Sequence, residues 1–265
     1  AAAYGIAVPG TMLVTTVLVL ALAIRGWQWP WTVALPVFGA LFALDALLFG
    51  ANMVKFTQGG WVPIALAVLI FTALWTWVQG RGAVTRRQAE DSIAMTELLA
   101  GISPSRVHRP QGTAVYLTAF AGNAPSSLLH NLKHNEVLHE DVVLLTVHVP
   151  EVPYVRDGER ATLEHLGKGV HHVTLHYGFM ESPDVPRDLA VLADKGIPLE
   201  PMRTSYFVGR NHFVASATRP LLPRWQERLF IALARFAAGA ADFFNLPANR
   251  VVELGSRVEI GRAHV

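Results

Sequence analysis

Three long apolar runs occupy the first third of the chain. Tyr4–Ile24 carries no charge, Trp31–Val54 is interrupted by Asp45 alone, and Trp61–Gly80 is uncharged. A helix of about 20 apolar residues crosses the hydrocarbon of a bilayer, and each run meets that length. Beyond residue 80 the pattern becomes mixed. A linker over 81–112 is expected to hold one helix, Ala89–Ala100, closed by Gly101 and the breaker Ser103-Pro-Ser105. Arg106, His108 and Arg109 follow, ahead of Gln111-Gly112.

From Thr113 to Ile260 the pattern predicts a small α/β domain. Strands are expected at Thr113–Thr118, at the nearly continuous apolar run Asp141–Val149 and at the alternating pair Ala161–Leu166 and His171–Tyr177. A hairpin turning at Gly209-Arg-Asn211 is expected within Ser205–Ala215, and a last strand over Val251–Ile260. Helices are predicted over Pro125–His134, Val185–Lys195 (stopped by Gly196) and Pro223–Phe244. The fold class is therefore a membrane all-α part of three helices (about 4–24, 31–54 and 61–80) followed by an α/β domain over 113–260.

Composition sharpens this division. Of the chain's 42 charged residues, 22 Lys or Arg and 20 Asp or Glu, only Arg25, Asp45 and Lys55 lie within residues 1–80. Aromatic side chains stand where the runs end: Trp27, Trp29 and Trp31, then Trp61, then Trp75 and Trp77. Amphipathic rings favour the headgroup level. Arg81, Arg86 and Arg87 follow the third run, Arg25 lies in the first connection and Lys55 in the second. The positive-inside rule then places the α/β domain in the cytoplasm and starts the first span outside. The net charge of +2, without a basic run, argues against nucleic acid as partner. With no cysteine in 265 residues, disulfides, iron–sulfur clusters and Cys-based zinc sites are excluded. The chain opens at Ala1 without a charged leader, and it is expected to be a piece of a longer protein.

Three features are candidates for chemistry. Pro9-Gly10 is expected to interrupt the first span, as broken helices do at ion sites, or to be a packed kink. Asp45 lies within the second span, where a carboxylate is expensive and faces a partner or water. It is a candidate for proton relay or a cation path, or else for a structural bond from Asn52 or a neighbouring helix. His130, His134 and His139, beside Glu140, form the densest histidine group. His130 and His134 share a helical face, as zinc ligands can, but the metalloprotease glutamate is missing, so no metal or other cofactor is expected. His165, His171, His172 and His176 belong to the strand pair, where His171 and His172 point to opposite faces. No phosphate loop or dinucleotide fingerprint occurs, and no enzyme activity is expected. The Pro223–Phe244 helix places Arg224, Arg228 and Arg235 near one face. Trp225, Leu229, Ala232, Phe236 and Phe243 lie opposite, and Glu227 and Asp242 dilute the charge. Such a helix is expected to cover a sheet rather than lie on lipid.

A series of segments together resembles the KUP/HAK/KT family of potassium uptake transporters, of the bacterial Kup type. They are Ala2-Ala-Tyr-Gly-Ile-Ala-Val8 with Gly10-Thr-Met12, Ala51-Asn-Met-Val-Lys-Phe56 with Gly59-Gly-Trp-Val-Pro63, and Gly112-Thr-Ala-Val-Tyr116. His130-Asn-Leu-Lys-His-Asn135, Leu138-His-Glu140, Tyr206-Phe207, Pro247-Ala-Asn-Arg-Val-Val-Glu-Leu-Gly255 and Val258-Glu-Ile260 follow in order. The resemblance implies twelve membrane helices on a LeuT-like, amino acid–polyamine–organocation core, importing potassium with protons across the bacterial inner membrane. This chain would then hold helices ten to twelve and the cytoplasmic domain. The potassium site would lie in helices this chain lacks, so no potassium ligand is carried over. Asp45 would lie outside the core. Pro9 departs from the Thr of the family pattern. Gly261-Arg-Ala-His-Val265 lies beyond the family's Val-Glu-Ile end and reads as a translated sequencing adapter, a tail that is not native.

The implied partners are potassium and the proton as cargo, the bilayer, the preceding helices and, as an open assembly, a homodimer. Two other functions stay open: a membrane-tethered nucleotide sensor, and a metal-dependent hydrolase built on His130, His134 and His139.

Overall fold

A computed structural model describes residues 2–90, 92–102, 107–120, 122–190, 192, 199–200, 202–216, 221–237 and 239–259. The expected breaker Ser103–Ser105, Arg106, the helix end at Lys195-Gly196, and Ile260 with the tail Gly261–Val265 lie outside these residues. The chain divides into two compact units, residues 1–76 and 77–265.

The first unit begins with α1 (Ala2–Arg25) and α2 (Trp31–Asn52), folded back on each other. A 3-10 turn over Met53–Gln58 leads to α3 (Trp61–Glu90), which supplies residues to both units. All three helices are long and apolar enough to cross a membrane. On α1 the covered positions include Ile6, Pro9, Leu13, Thr16, Leu20 and Ala23, with Gly5, Gly10 and Val19 beside them. The spacing of the first six, alternating three and four, is that of a helix–helix seam. Ala34, Phe38, Asp45, Phe49 and Asn52 face them from α2. The rest of the helical surface stays apolar and open, with Leu18, Leu47, Leu69 and Phe71 each more than 60% exposed. Apolar surface this extensive marks contact with lipid or other protein rather than water.

The expected interruption at Pro9-Gly10 does not occur. α1 runs through Pro9. Proline removes one backbone donor in a helix whose other turns hold it, while Pro9 itself packs in the seam. α3 extends to Glu90, ten residues past the predicted end at Gly80. The loss of apolar character at Arg81 ends the run but not the helix, since Arg and Gln are good helix formers.

The second unit is built on a six-stranded mixed sheet of order β3-β4-β2-β1-β5-β6. Its strands are β1 (Thr113–Leu117), β2 (Asp141–His148), β3 (Ala161–Gly167), β4 (Val170–His176), β5 (Thr204–Val214) and β6 (Val251–Glu259). All neighbours are parallel except β3 and β4. The central strands are covered on both faces, so successive side chains enter opposite cores. Val115, Val143 and Leu145 enter one core with α6 (Val185–Ala190) and α8 (Ala240–Phe243). Ala114, Tyr116, Val142 and Leu144 enter the other with α4 (Met95–Gly101) and α5 (Ser126–Asn135).

Three elements differ from their sequence prediction. Ser205–Ala215 is not a hairpin: Ser205–Val214 belongs to one long strand, β5, and Ala215 follows its end. Gly209, Arg210 and Asn211 pair with Leu254, Gly255 and Ser256 of β6, and the Ser256 hydroxyl donates to Asn211 Oδ1 at 2.8 Å. A distant partner strand uses the backbone groups that a local turn would have closed. The predicted Pro223–Phe244 helix is two: α7 (Arg224–Arg235) and the short α8, separated by Gly239 in extended conformation. The linker helix starts late, at Met95, because Ala89 and Glu90 belong to α3 and Ala94 bridges to Asn123.

α7 does not cover the sheet with its Trp225–Phe236 side, as the sequence suggested. Its inward residues are Gln226, Glu227 and Phe230. Phe230 packs on Trp77, Ala83 and Val84 of α3 and on Phe213 of β5. A Cβ at Gly80 would fall into the Phe230 ring, so glycine lets the two helices meet there.

Candidate functional site

In the first unit the structure brings Asp45 to Thr16. The Thr16 hydroxyl donates to Asp45 Oδ2 at 2.7 Å, with Asp45 only 5% exposed. The partner comes from the neighbouring helix, not from Asn52, whose amide donates to Leu48 O. Gly10 sits against Phe49. Thr11 and Thr15 donate their hydroxyls to Ala7 O and Thr11 O. Thr11, Thr15, Thr16 and Asp45 border an open groove of about 560 Å³ along α1, which Tyr4, Met12 and Leu41 also line. The three candidates therefore share one helix pair. Pro9 and Thr16 lie in its seam, Asp45 opposite. Thr16 escaped the sequence reading, although its seven-residue spacing from Pro9 was the available signal.

The histidine candidates do not converge. His130 and His134 stack ring on ring with centroids 5.8 Å apart. His139 turns its ring edge toward Phe207, and burial lowers its pKa from the ordinary histidine value. Among the described residues no three His, Asp or Glu side chains are grouped to hold a metal ion. His130 and His134 are neighbours by helical spacing alone.

In open parallel sheets ligands bind beyond the carboxyl ends of the strands, where the strand order reverses. Here that point follows β1, which is flanked by β2 and β5. Thr118 closes this loop on itself: its hydroxyl donates to Phe120 O at 3.1 Å and accepts from Phe120 N at 3.2 Å. At the carboxyl ends of β2 and β4, His148 and His176 meet edge to face. Nearby, Arg160 donates to Glu181 Oε1 at 2.9 Å and lies 5.8 Å from the Tyr177 ring. Glu181 also accepts the Gly178 N–H at 2.6 Å. Arg160, then that backbone donor, holds the Glu181 carboxyl below the ordinary glutamate range. Burial first, then Asp188, pushes the Tyr177 phenol up. At the opposite, amino end of the sheet, the Arg109 guanidinium donates to the carbonyls of His139, Glu140 and Lys168. These two arginine clusters tie loops together, and they escaped the sequence reading because their partners are 21 to 59 residues away.

The Glu181 geometry carries a pH prediction. A carboxyl whose folded pKa is depressed contributes stability above its unfolded value, and that contribution disappears as pH falls through the folded value. Glu181→Gln is therefore expected to lower the melting temperature at pH 7 by about 2–4 °C, the scale of 1 kcal/mol in a domain this size. The gap should close below the ordinary glutamate range. A gap equal at pH 7 and pH 3, read by thermal unfolding of the full chain, would count against the ion pair.

Residues 1–82 match the family described as the K+ potassium transporter integral membrane domain, and residues 111–260 match the K+ potassium transporter C-terminal domain. The chain belongs to the K+ potassium transporter family. A protein of Methylibium petroleiphilum named "Probable potassium transport system protein Kup" is 44% identical over 260 residues. Proteins of the same name from Acidiphilium cryptum and Anaeromyxobacter sp. (strain K) are 45% and 44% identical. Each alignment covers 98% of this chain and 39–41% of the relative. The chain thus spans about two fifths of the length of these transporter relatives. Within the family the three apolar helices are membrane elements, and the mixed sheet belongs to its C-terminal domain.

Proposed function

We propose that the chain is the C-terminal part of a potassium uptake transporter that carries potassium together with protons into the cell. The observation that supports this most is the match to the family's membrane domain and C-terminal domain, in that order, along one chain. In this reading α1, α2 and the apolar part of α3 are the last three of twelve helices on a LeuT-like core. The sheet domain is cytoplasmic and stabilises or regulates the transporter, and the membrane is the bacterial inner membrane. Arg25, Arg81, Arg86 and Arg87 on one side of the spans support that orientation. The ion site is assigned to helices preceding this chain.

Asp45, Pro9 and Gly10 are assigned a packing role in the α1–α2 seam. An interhelical hydrogen bond within a membrane contributes about 0.6 kcal/mol on average, which suits a tie between helices. Expression of the longer reading frame is expected to restore growth of an uptake-deficient bacterium in low potassium, whereas residues 1–265 alone do not. Asp45→Asn in the longer protein keeps an acceptor for Thr16 and should leave uptake within about threefold, since about 0.6 kcal/mol is the energy at stake. Absent rescue with normal membrane expression would overturn the transport reading. Lost uptake in Asp45→Asn alone would make Asp45 part of the ion path.

A further inference from the structure

α7 has two outward stripes, exposed at every position but the half-buried Leu229. Trp225, Leu229, Ala232 and Phe236 recur at spacings of three and four, which aligns them on one side. Trp225 is 55% and Phe236 88% exposed. Beside them Arg224, Arg228 and Arg235 form an exposed basic stripe. Of the two acids that dilute this charge in the sequence, Glu227 is turned inward, buried with its Oε1 accepting the Ser216 N–H at 2.8 Å, while Asp242 lies exposed outside α7, in α8. The outer surface of α7 is therefore aromatic and cationic, without an exposed carboxylate of its own. Phe243, in the adjoining α8, is also exposed.

The inner face fixes the height of this helix. Phe230 rests on Trp77, Gly80 and Val84, the last turn of the apolar run and the first turn beyond it. Trp77 lies beneath the Arg81 guanidinium, 5.9 Å from it. Tryptophan with arginine at the end of a span marks the level of the lipid headgroups, so α7 is held at that level. A short helix with aromatic residues beside arginines inserts its apolar side at the headgroup boundary and attracts anionic lipid.

We propose that the Trp225–Phe236 face of α7 docks on the bilayer interface, with Arg224, Arg228 and Arg235 on anionic lipid headgroups. The docked helix anchors the C-terminal domain to the membrane that α3 leaves.

The absence of cysteine allows a direct test. The full chain carrying Phe236→Cys or Trp225→Cys, nitroxide-labelled, is reconstituted in vesicles of phosphatidylethanolamine with phosphatidylglycerol, or of phosphatidylcholine alone. Accessibility to oxygen and to a soluble nickel chelate is read by electron paramagnetic resonance, with Glu159→Cys as the exposed control. The expected result is oxygen access with nickel protection at both α7 positions, strongest with phosphatidylglycerol. Replacing each arginine by glutamine should weaken the docked population about fivefold. Nickel access equal to that of the control would overturn the proposal. So would identical protection in the two lipid mixtures. Shielding from both reagents, in detergent as well as in vesicles, would assign the face to a second copy or another protein segment instead.

Discussion

Gly169→Val is expected to destabilise the C-terminal domain by a large fraction of its total stability. Lys168 and Gly169 form the β3–β4 turn, with φ of 52° and 75°, after Gly167 closes β3 at φ 95°. A side chain on Gly169 would be held in the left-handed region, at a cost of about 1–2 kcal/mol. Its Cβ would also fall on the Glu140 carbonyl and approach Arg109 Nη2. Overpacking of that kind adds about 1–3 kcal/mol. The same residue joins two strands, since the Gly169 carbonyl accepts the Val142 N–H at 2.8 Å. Domains are stable by about 5–15 kcal/mol in total, so the two costs together are a serious loss. The melting temperature of the full chain in detergent should fall by about 10 °C, and the sheet should become cleavable by protease. Gly158→Val, where an added Cβ meets nothing within 4 Å, is the control. A Gly169→Val melt within a degree of the control would dispose of the argument.

The second large effect is reciprocal. Gly80→Val drives a side chain into the Phe230 ring, and Phe230→Ala empties a fully buried site. The latter alone should cost about 3–5 kcal/mol. The two changes are complementary in volume, so the double variant should be more stable than the sum of the single effects predicts by about 1–3 kcal/mol. Thermal unfolding of the four proteins measures this coupling. Strict additivity would mean that α7 does not rest on Gly80, and the height of its outer face would lose its basis.

The elements that the sequence predicted well are those whose signal is local. An apolar run of 20 residues needs no partner to announce a membrane helix, and Val142–Leu145 announces a doubly covered strand. The errors share a cause. Gly209-Arg-Asn211 resembles a turn until β6 supplies the missing backbone partners. Ala89 and Glu90 resemble the start of a new helix until α3 is seen to run through them. The outward side of α7 resembles the buried side, because the pattern contains two apolar surfaces, Phe230 on one and Trp225 to Phe236 on the other.

The candidate site divides in the same way. Asp45 was legible because a carboxyl in an apolar run is conspicuous by itself. Its partner Thr16 was not, since the bond joins residues 29 apart across a helix pair. His130 and His134 were legible as neighbours, being one helical turn apart. That His139 points to Phe207 instead was decided by the packing of β5 beneath it.

By itself, then, the sequence determined the membrane helices, the mixed α/β class and the family, because hydropathy runs and ordered motifs are properties of the chain's own positions. Tertiary structure alone decided which hydroxyl meets Asp45, that Glu227 turns inward, and that α7 leaves an aromatic and basic face open. Each of those depends on which groups distant in sequence come within a few ångströms, and spacing along the chain carries no measure of that.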